Sequence, residues 1–173
     1  MIKPQIYTLG HSNHPREVFE HLLKAHHIEL LVDVRRFASS KKFPHFAGKA
    51  LATFLEDRCG IRYLALPDLG GYRKPKPDSV NTGIKNPGFR GYADHMQTEA
   101  FQAAFKRLLE EARRWTTAIM CAEGFPWRCH RWFLADLLIV NGFEVKHILP
   151  DGKIYLHRLN PRAKKVGDFL VYR

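Results

Sequence analysis

The chain has 173 residues, 45% hydrophobic and 26% charged, a globular composition with enough length to bury a core. Twenty-eight Lys and Arg against 17 Asp and Glu leave a net charge of +11, an excess that favours anionic partners such as nucleotides, nucleic acid or other phosphorylated ligands. No apolar run approaches the ~18 residues of a membrane span, the opening MIKPQIYTLG lacks the apolar core of a signal peptide, and three cysteines do not make a disulfide scaffold; a cytoplasmic protein without a membrane partner is expected.

Short apolar runs alternate with amphipathic stretches, the pattern of an α/β domain. QIYTLG (5–10) reads as the first strand, and a helix follows over about 15–25 with Val18, Phe19, Leu22 and Leu23 on one face. Pro15 suits its first turn and Ser12 or Asn13 its cap. ELLVDVR (29–35) is a buried central strand. A helix over 48–59 carries Leu51, Phe54 and Leu55 and stops at Gly60, and IRYLAL (61–66) is a third strand. Phe101, Phe105, Leu108, Leu109 and Ala112 recur at spacings of three and four, which predicts a helix over 99–115. TTAIMCA (116–122) is a fourth strand, 129–141 a helix and FEVKHIL (143–149) a fifth strand. DGK (151–153) predicts a hairpin turn into IYLHRL, and DFLVYR a last short strand.

These elements predict a single domain over 1–173. Its centre is a mostly parallel sheet of about five strands with helices on both faces (Rossmann-like), and residues 150–173 form a short C-terminal β extension. Two long loops follow strands. Residues 36–47 interleave basic and aromatic side chains, and residues 67–91 form a Pro- and Gly-rich basic loop.

The polar clusters all fall at carboxyl ends of predicted strands: GHS (10–12), DVRR (33–36), DLGGY (68–72) and CAE (121–123). In an open parallel sheet those ends share one edge, where ligands bind. His11 is a candidate general base or hydrogen-bond donor to an anion. Asp33 ends an apolar strand and needs a partner. Arg35 lies on the same strand face, either as that partner or with outer nitrogens free for phosphate.

The segment CAEGFPWRCHR (121–131) gathers the most chemistry. Zinc ligation by Cys121, Cys129 and His130 is disfavoured by the adjacent ligands and the seven-residue gap between the cysteines, so no metal is expected. Cys121 and Arg128 in a strand–loop–helix order resemble the phosphate-binding loop of cysteine phosphatases and rhodanese-like proteins, although the spacing is longer and the interior glycines are mostly absent. A thiol at the helix start, Cys129, favours the thiolate. The alternative is an anion pocket in which Glu123 and Arg131 do the polar work while the cysteines pack.

In this order, GHS, LVDVR, FPHF, Y…LGG, GYADHM, CAE and CHR resemble the family catalogued as domain of unknown function 488, over about residues 5–149. The resemblance implies a Rossmann-like α/β domain with clustered polar motifs. Its hallmark positions fall here on His11, Ser12, Asp33, Arg35, Gly70, Gly71, Tyr92, Cys121, Glu123, Cys129, His130 and Arg131.

The expected site therefore has His11, Asp33, Glu123 and Cys129 as catalytic candidates, with Ser12, Arg35, Tyr92, Cys121, His130 and Arg131 holding an anionic ligand. The leading function is an enzyme acting on a nucleotide, nucleic acid or another phosphorylated substrate. A non-catalytic module gripping single-stranded nucleic acid through Phe37, Lys41, Lys42, Phe43, Phe46, Tyr72, Arg73 and Lys74 stands beside it, as does a thiol-based enzyme using the two cysteines. Composition and spacing name no cofactor.

Overall fold

In the computed structural model, which describes residues 2–173, six strands form one sheet in the order β3-β2-β4-β1-β5-β6. β1 (Gln5–Gly10), β2 (Leu30–Asp33), β3 (Arg62–Ala65), β4 (Thr117–Cys121) and β5 (Glu144–Ile148) run parallel, and β6 (Ile154–Leu156) returns antiparallel along β5. β2 is buried along its whole length, which is why it reads as an unbroken apolar run rather than an alternating one.

Side-chain alternation splits the core in two. Leu30, Val32, Ile119 and Val145 face α3 (Pro87–His95), α4 (Glu99–Arg114) and α5 (Arg131–Val140). Leu31, Ala118, Met120 and Ile148 face α1 (Arg16–Ala25) and α2 (Gly48–Phe54). The helices thus cover both faces. No helix among the described residues is long and apolar enough to cross a membrane.

Several details differ from expectation. Pro15 is the N-cap of α1 rather than its first residue, and no side chain caps that helix. The helix expected over 48–59 changes winding at Leu55, continuing to Cys59 as a π-helical turn that ends on Gly60 at φ 66°. α5 begins at Arg131, so Cys129 and His130 stand just before it, behind a 3₁₀ turn over Pro126–Arg128. α3 has no counterpart in the predicted elements, because Gly88 and Gly91 interrupt its apolar pattern. Its start follows ordinary rules: Asn86 accepts a hydrogen bond from the Phe89 N–H, with Pro87 next. Gly91 is required there, since a Cβ would stand 2.2 Å from the Arg73 carbonyl oxygen.

Loop 67–91 is held by buried Asp94 of α3. Its carboxylate accepts from the Lys76 N–H (2.8 Å), the Ser79 hydroxyl (2.7 Å) and the Asn81 side chain (2.7 Å). The C-terminal extension adds a hairpin, β7 (Ala163–Val166) and β8 (Phe169–Tyr172), and docks on α5 through a second buried acid. Asp136 accepts from His157 Nε2 (2.8 Å), the Asn160 N–H (3.1 Å) and the Tyr172 hydroxyl (2.7 Å).

Removing the shared acceptor of a buried hydrogen-bond network strands its donors away from water. Asp136→Ala strands three donors, those of His157, Asn160 and Tyr172, and is expected to cost roughly 3 kcal/mol or more of unfolding free energy in urea; a loss below ~1 kcal/mol would show that the extension docks by apolar contact alone.

Candidate functional site at the end of β4

β4 lies between β2 and β1. The chain leaving β4 turns to the face carrying α5, whereas the chains leaving β1 and β2 turn to the face carrying α1 and α2. Connections that part in this way leave a crevice outside the strand ends, the usual ligand position in open parallel sheets. A cavity of about 910 Å³ opens there, with His11 and Ser12 on one side, Arg35 on the other, and Cys121, Glu123, Cys129 and His130 between them.

The strand ends are drawn close. The His11 N–H bonds the Cys121 carbonyl and the Ser12 N–H that of Ala122, both at 2.9 Å. Gly10 makes this possible, because a Cβ there would lie 1.7 Å from the Glu123 carbonyl oxygen. Ser12 takes the left-handed conformation, φ 48°, to turn the chain along the cavity wall.

His11 donates from Nδ1 to the Ser12 carbonyl (2.9 Å), and its ring stacks on Phe46 at 4.5 Å. That bond assigns the Nδ1–H tautomer and leaves the Nε2 lone pair without a partner among the described residues. Burial, with Arg35 nearby, lowers its pKa to about 4 despite the Ser12 contact. His11 is therefore neutral at pH 7 and suited to accept a proton.

Asp33 has no such freedom. Its carboxylate accepts from Arg35 Nε (2.9 Å), Arg35 Nη2 (2.7 Å), the Arg35 N–H (3.1 Å) and the Tyr63 hydroxyl (2.5 Å). It lies off the cavity wall, and its geometry is that of an orienting group. It fixes Arg35 in a bidentate pair and leaves Arg35 Nη1 unused at the cavity.

Arg131, expected to meet an anion, is 0% exposed and off the wall. Nε donates to Cys121 Sγ (3.1 Å), Nη1 to Thr8 Oγ1 (2.6 Å), and Nη2 to the carbonyls of Glu123 (2.7 Å) and Gly124 (3.1 Å). Its guanidinium thus braces the floor of the crevice from behind. The cations on the wall besides Arg35 are Arg36, Lys41, Lys42 and Arg128. Among the expected ligand-holding residues, Tyr92 is fully buried. Its hydroxyl donates to the Leu69 carbonyl (2.8 Å) and its ring packs edge-on against His130 at 5.0 Å.

The two thiols meet at the floor, Cys129 Sγ 2.9 Å from Cys121 Sγ. His130 Nε2 lies 3.0 Å from the Val34 carbonyl and must donate to it, so Nδ1, 3.3 Å from Cys129 Sγ, carries the lone pair. Burial pushes the Cys121 thiol well up, with the contact to Cys129 adding to it. Burial acts the same way on Cys129, but the Cys121 hydrogen bond, the Arg131 charge and the Arg131 N–H outweigh it and bring that thiol below its usual value. No group of three or more His, Cys, Asp or Glu among the described residues is placed to hold a metal ion.

Sequence reasoning overlooked the connection behind the floor. Thr8 Oγ1 meets His147 Nδ1 (2.5 Å), His147 Nε2 meets His157 Nδ1 (2.9 Å), and His157 reaches Asp136. Because Arg131 only donates, the Thr8 hydroxyl proton finds an acceptor at His147, and each ring then passes one hydrogen bond onward to Asp136. These pairs are far apart in sequence and leave no local signature. The loop cations and aromatics of 36–47 did carry a signal, their composition directly after a strand.

A family model described as Domain of unknown function DUF488 matches residues 14–138, more than half of the chain. The chain belongs to this family. The DUF488 match includes Asp33, Arg35, Tyr92 and the whole of 121–131, begins after His11 and Ser12, and stops short of β5 and the C-terminal extension. No curated protein and no solved structure matches significantly.

Because His11 binds its proton less readily folded than unfolded, this group costs the fold stability as pH falls from 6.5 toward 4. In a histidine-selective NMR titration its ring should stay neutral at pH 5.5 and titrate near 4. A midpoint above about 6 would mean that the ring is solvated.

Proposed function

We propose that the crevice binds a small anionic ligand bearing phosphate and a planar ring, a nucleotide being the class that fits best, and performs acid–base chemistry on it. The observation that supports this most is the balance of charge on the wall. Arg35, Arg36, Lys41, Lys42 and Arg128 face the space with Glu123 as the one carboxylate among the lining residues. Phosphate suits such a set, because several cations share its charge and Arg35 Nη1 is already oriented. The cavity, about 910 Å³, is within the range that holds small ligands and cofactors, roughly 300–1,000 Å³.

Aromatic rings supply the apolar part. Phe37, Phe43, Tyr72 and Phe89 line the same space, and a base inserted among them would stack. Two groups have the chemistry to move protons. His11 Nε2 presents a lone pair, and Glu123 keeps Oε1 on the Phe125 N–H (3.1 Å) with Oε2 free. A neutral imidazole and a carboxylate on one wall suit removal of a proton from a nucleophile and its delivery to a leaving group.

A second reading rests on the rim, where Tyr72 is 84% and Phe37 61% exposed with ring centroids 6.3 Å apart, beside Arg36. Paired exposed aromatics beside cations also suit single-stranded nucleic acid, with one nucleotide entering the crevice.

Calorimetry with a panel of nucleoside mono-, di- and triphosphates and short oligonucleotides tests both. Micromolar binding of a nucleotide that weakens about tenfold or more in Arg36→Ala, and weakens with added salt, is the expected result. Glu123→Gln should keep affinity within about threefold while abolishing turnover of any substrate found. Binding by oligonucleotides alone would favour the rim, and salt-independent or absent binding across the panel would remove the anion site.

A further inference from the structure

We propose that Cys121 and Cys129 form a reversible dithiol–disulfide couple, with Cys129 the sulfur that reacts first with a small hydroperoxide and Cys121 the sulfur that resolves it. The anion site uses neither thiol, so the inference is independent of it. Three observations carry it. The sulfurs come from different elements, the end of β4 and the segment before α5, yet lie 2.9 Å apart, roughly 0.9 Å beyond a sulfur–sulfur bond of about 2.05 Å. Both border the cavity, which gives a small oxidant its path. The surroundings also distinguish the two sulfurs. The Arg131 N–H at the start of α5 points at Cys129 Sγ (3.5 Å), and His130 Nδ1 offers its lone pair at 3.3 Å. A helix start and a nearby cation favour thiolate, whereas the thiol of Cys121 keeps its proton.

The chemistry balances without further groups. Cys129 gives its proton to His130 Nδ1, and the thiolate attacks the terminal oxygen of ROOH. The O–O bond breaks, and RO⁻ recovers that proton and leaves as ROH. Cys129 is then a sulfenic acid. Cys121 sulfur attacks it, the S–O bond breaks, and the hydroxyl departs with the Cys121 proton as water. Two electrons have passed from the dithiol to the peroxide, and a low-molecular-weight thiol returns them by exchange.

Cys59 supplies an internal control. It is more exposed than either partner, with a thiol pushed up by burial and the nearby Glu20 carboxylate. If access alone governed reactivity, Cys59 would react first. The test treats wild-type protein with near-stoichiometric hydrogen peroxide, followed by pulsed alkylation, intact mass and peptide mapping. Expected are loss of two of the three thiols, a Cys121–Cys129 link, Cys59 still free, and recovery of all three with a dithiol reductant. Cys129 should be consumed about tenfold faster than Cys59. In Cys121→Ser, dimedone should trap a sulfenic acid on Cys129. Preferential oxidation of Cys59, a link to Cys59 or between chains, or survival of both Cys121 and Cys129 thiols would overturn the proposal, and the wild-type readout decides this even if the variant does not fold.

Discussion

A buried guanidinium sets the terms for this crevice. Taking a cation out of water costs several kcal/mol unless its donors are matched, and Arg131 matches four of its five N–H groups to β1, to β4 and to the turn at Glu123–Gly124. None of those partners is an acid. The balancing carboxylate, Asp136, lies at the far end of Thr8, His147 and His157. Burial holds His147 neutral, with a pKa of about 2, and the neighbouring His157 and Arg131 act in the same direction. A chain of hydrogen bonds thus joins the buried guanidinium to the buried Asp136 carboxyl through Thr8, His147 and His157. Since the same Arg131 grips Cys121 and the carbonyls after it, the shape of the crevice floor and the attachment of the C-terminal extension are one problem, solved together.

Charge is handled oppositely on the two sides of that floor. Inside, Asp33 with Arg35 and Tyr63, Asp94 with its three donors, and Asp136 with its own are all satisfied within the protein. At the cavity, Arg36, Lys41, Lys42 and Arg128 line a wall with Glu123 as its single carboxylate. Arg35 belongs to both sides, held rigid by Asp33 from behind with one nitrogen left for the front. The net +11 is in part this surplus.

How much of this the sequence discloses follows from what a local pattern reports. Apolar periodicity marks the buried face of an element, so five parallel strands and four helices are legible, as is the gathering of GHS, DVR and CAE at one edge. The Asp33–Arg35 pair is legible too, because residues two apart share a strand face. Helix α3 is not, because the glycine its packing requires at position 91 also erases its pattern. Arg131 is the sharper lesson. A basic residue at the start of a helix reads as an anion ligand, whereas its partners, Thr8 123 positions away and the backbone carbonyls of the preceding turn, hold it inward and leave no side-chain pattern to read. Strand β7 is mostly solvent-facing and lysine-rich, with no periodicity to read.

Position 10 shows how an absent side chain can govern a charge. The Glu123 carbonyl that receives Arg131 Nη2 occupies the volume that any β-carbon on residue 10 would fill. Alanine there would drive that oxygen away, leaving the guanidinium one acceptor short in a place water does not reach. The smallest residue type is thereby a condition for the largest fully buried side chain, and the two are coupled through the one carbonyl that fills the space a side chain at position 10 would take.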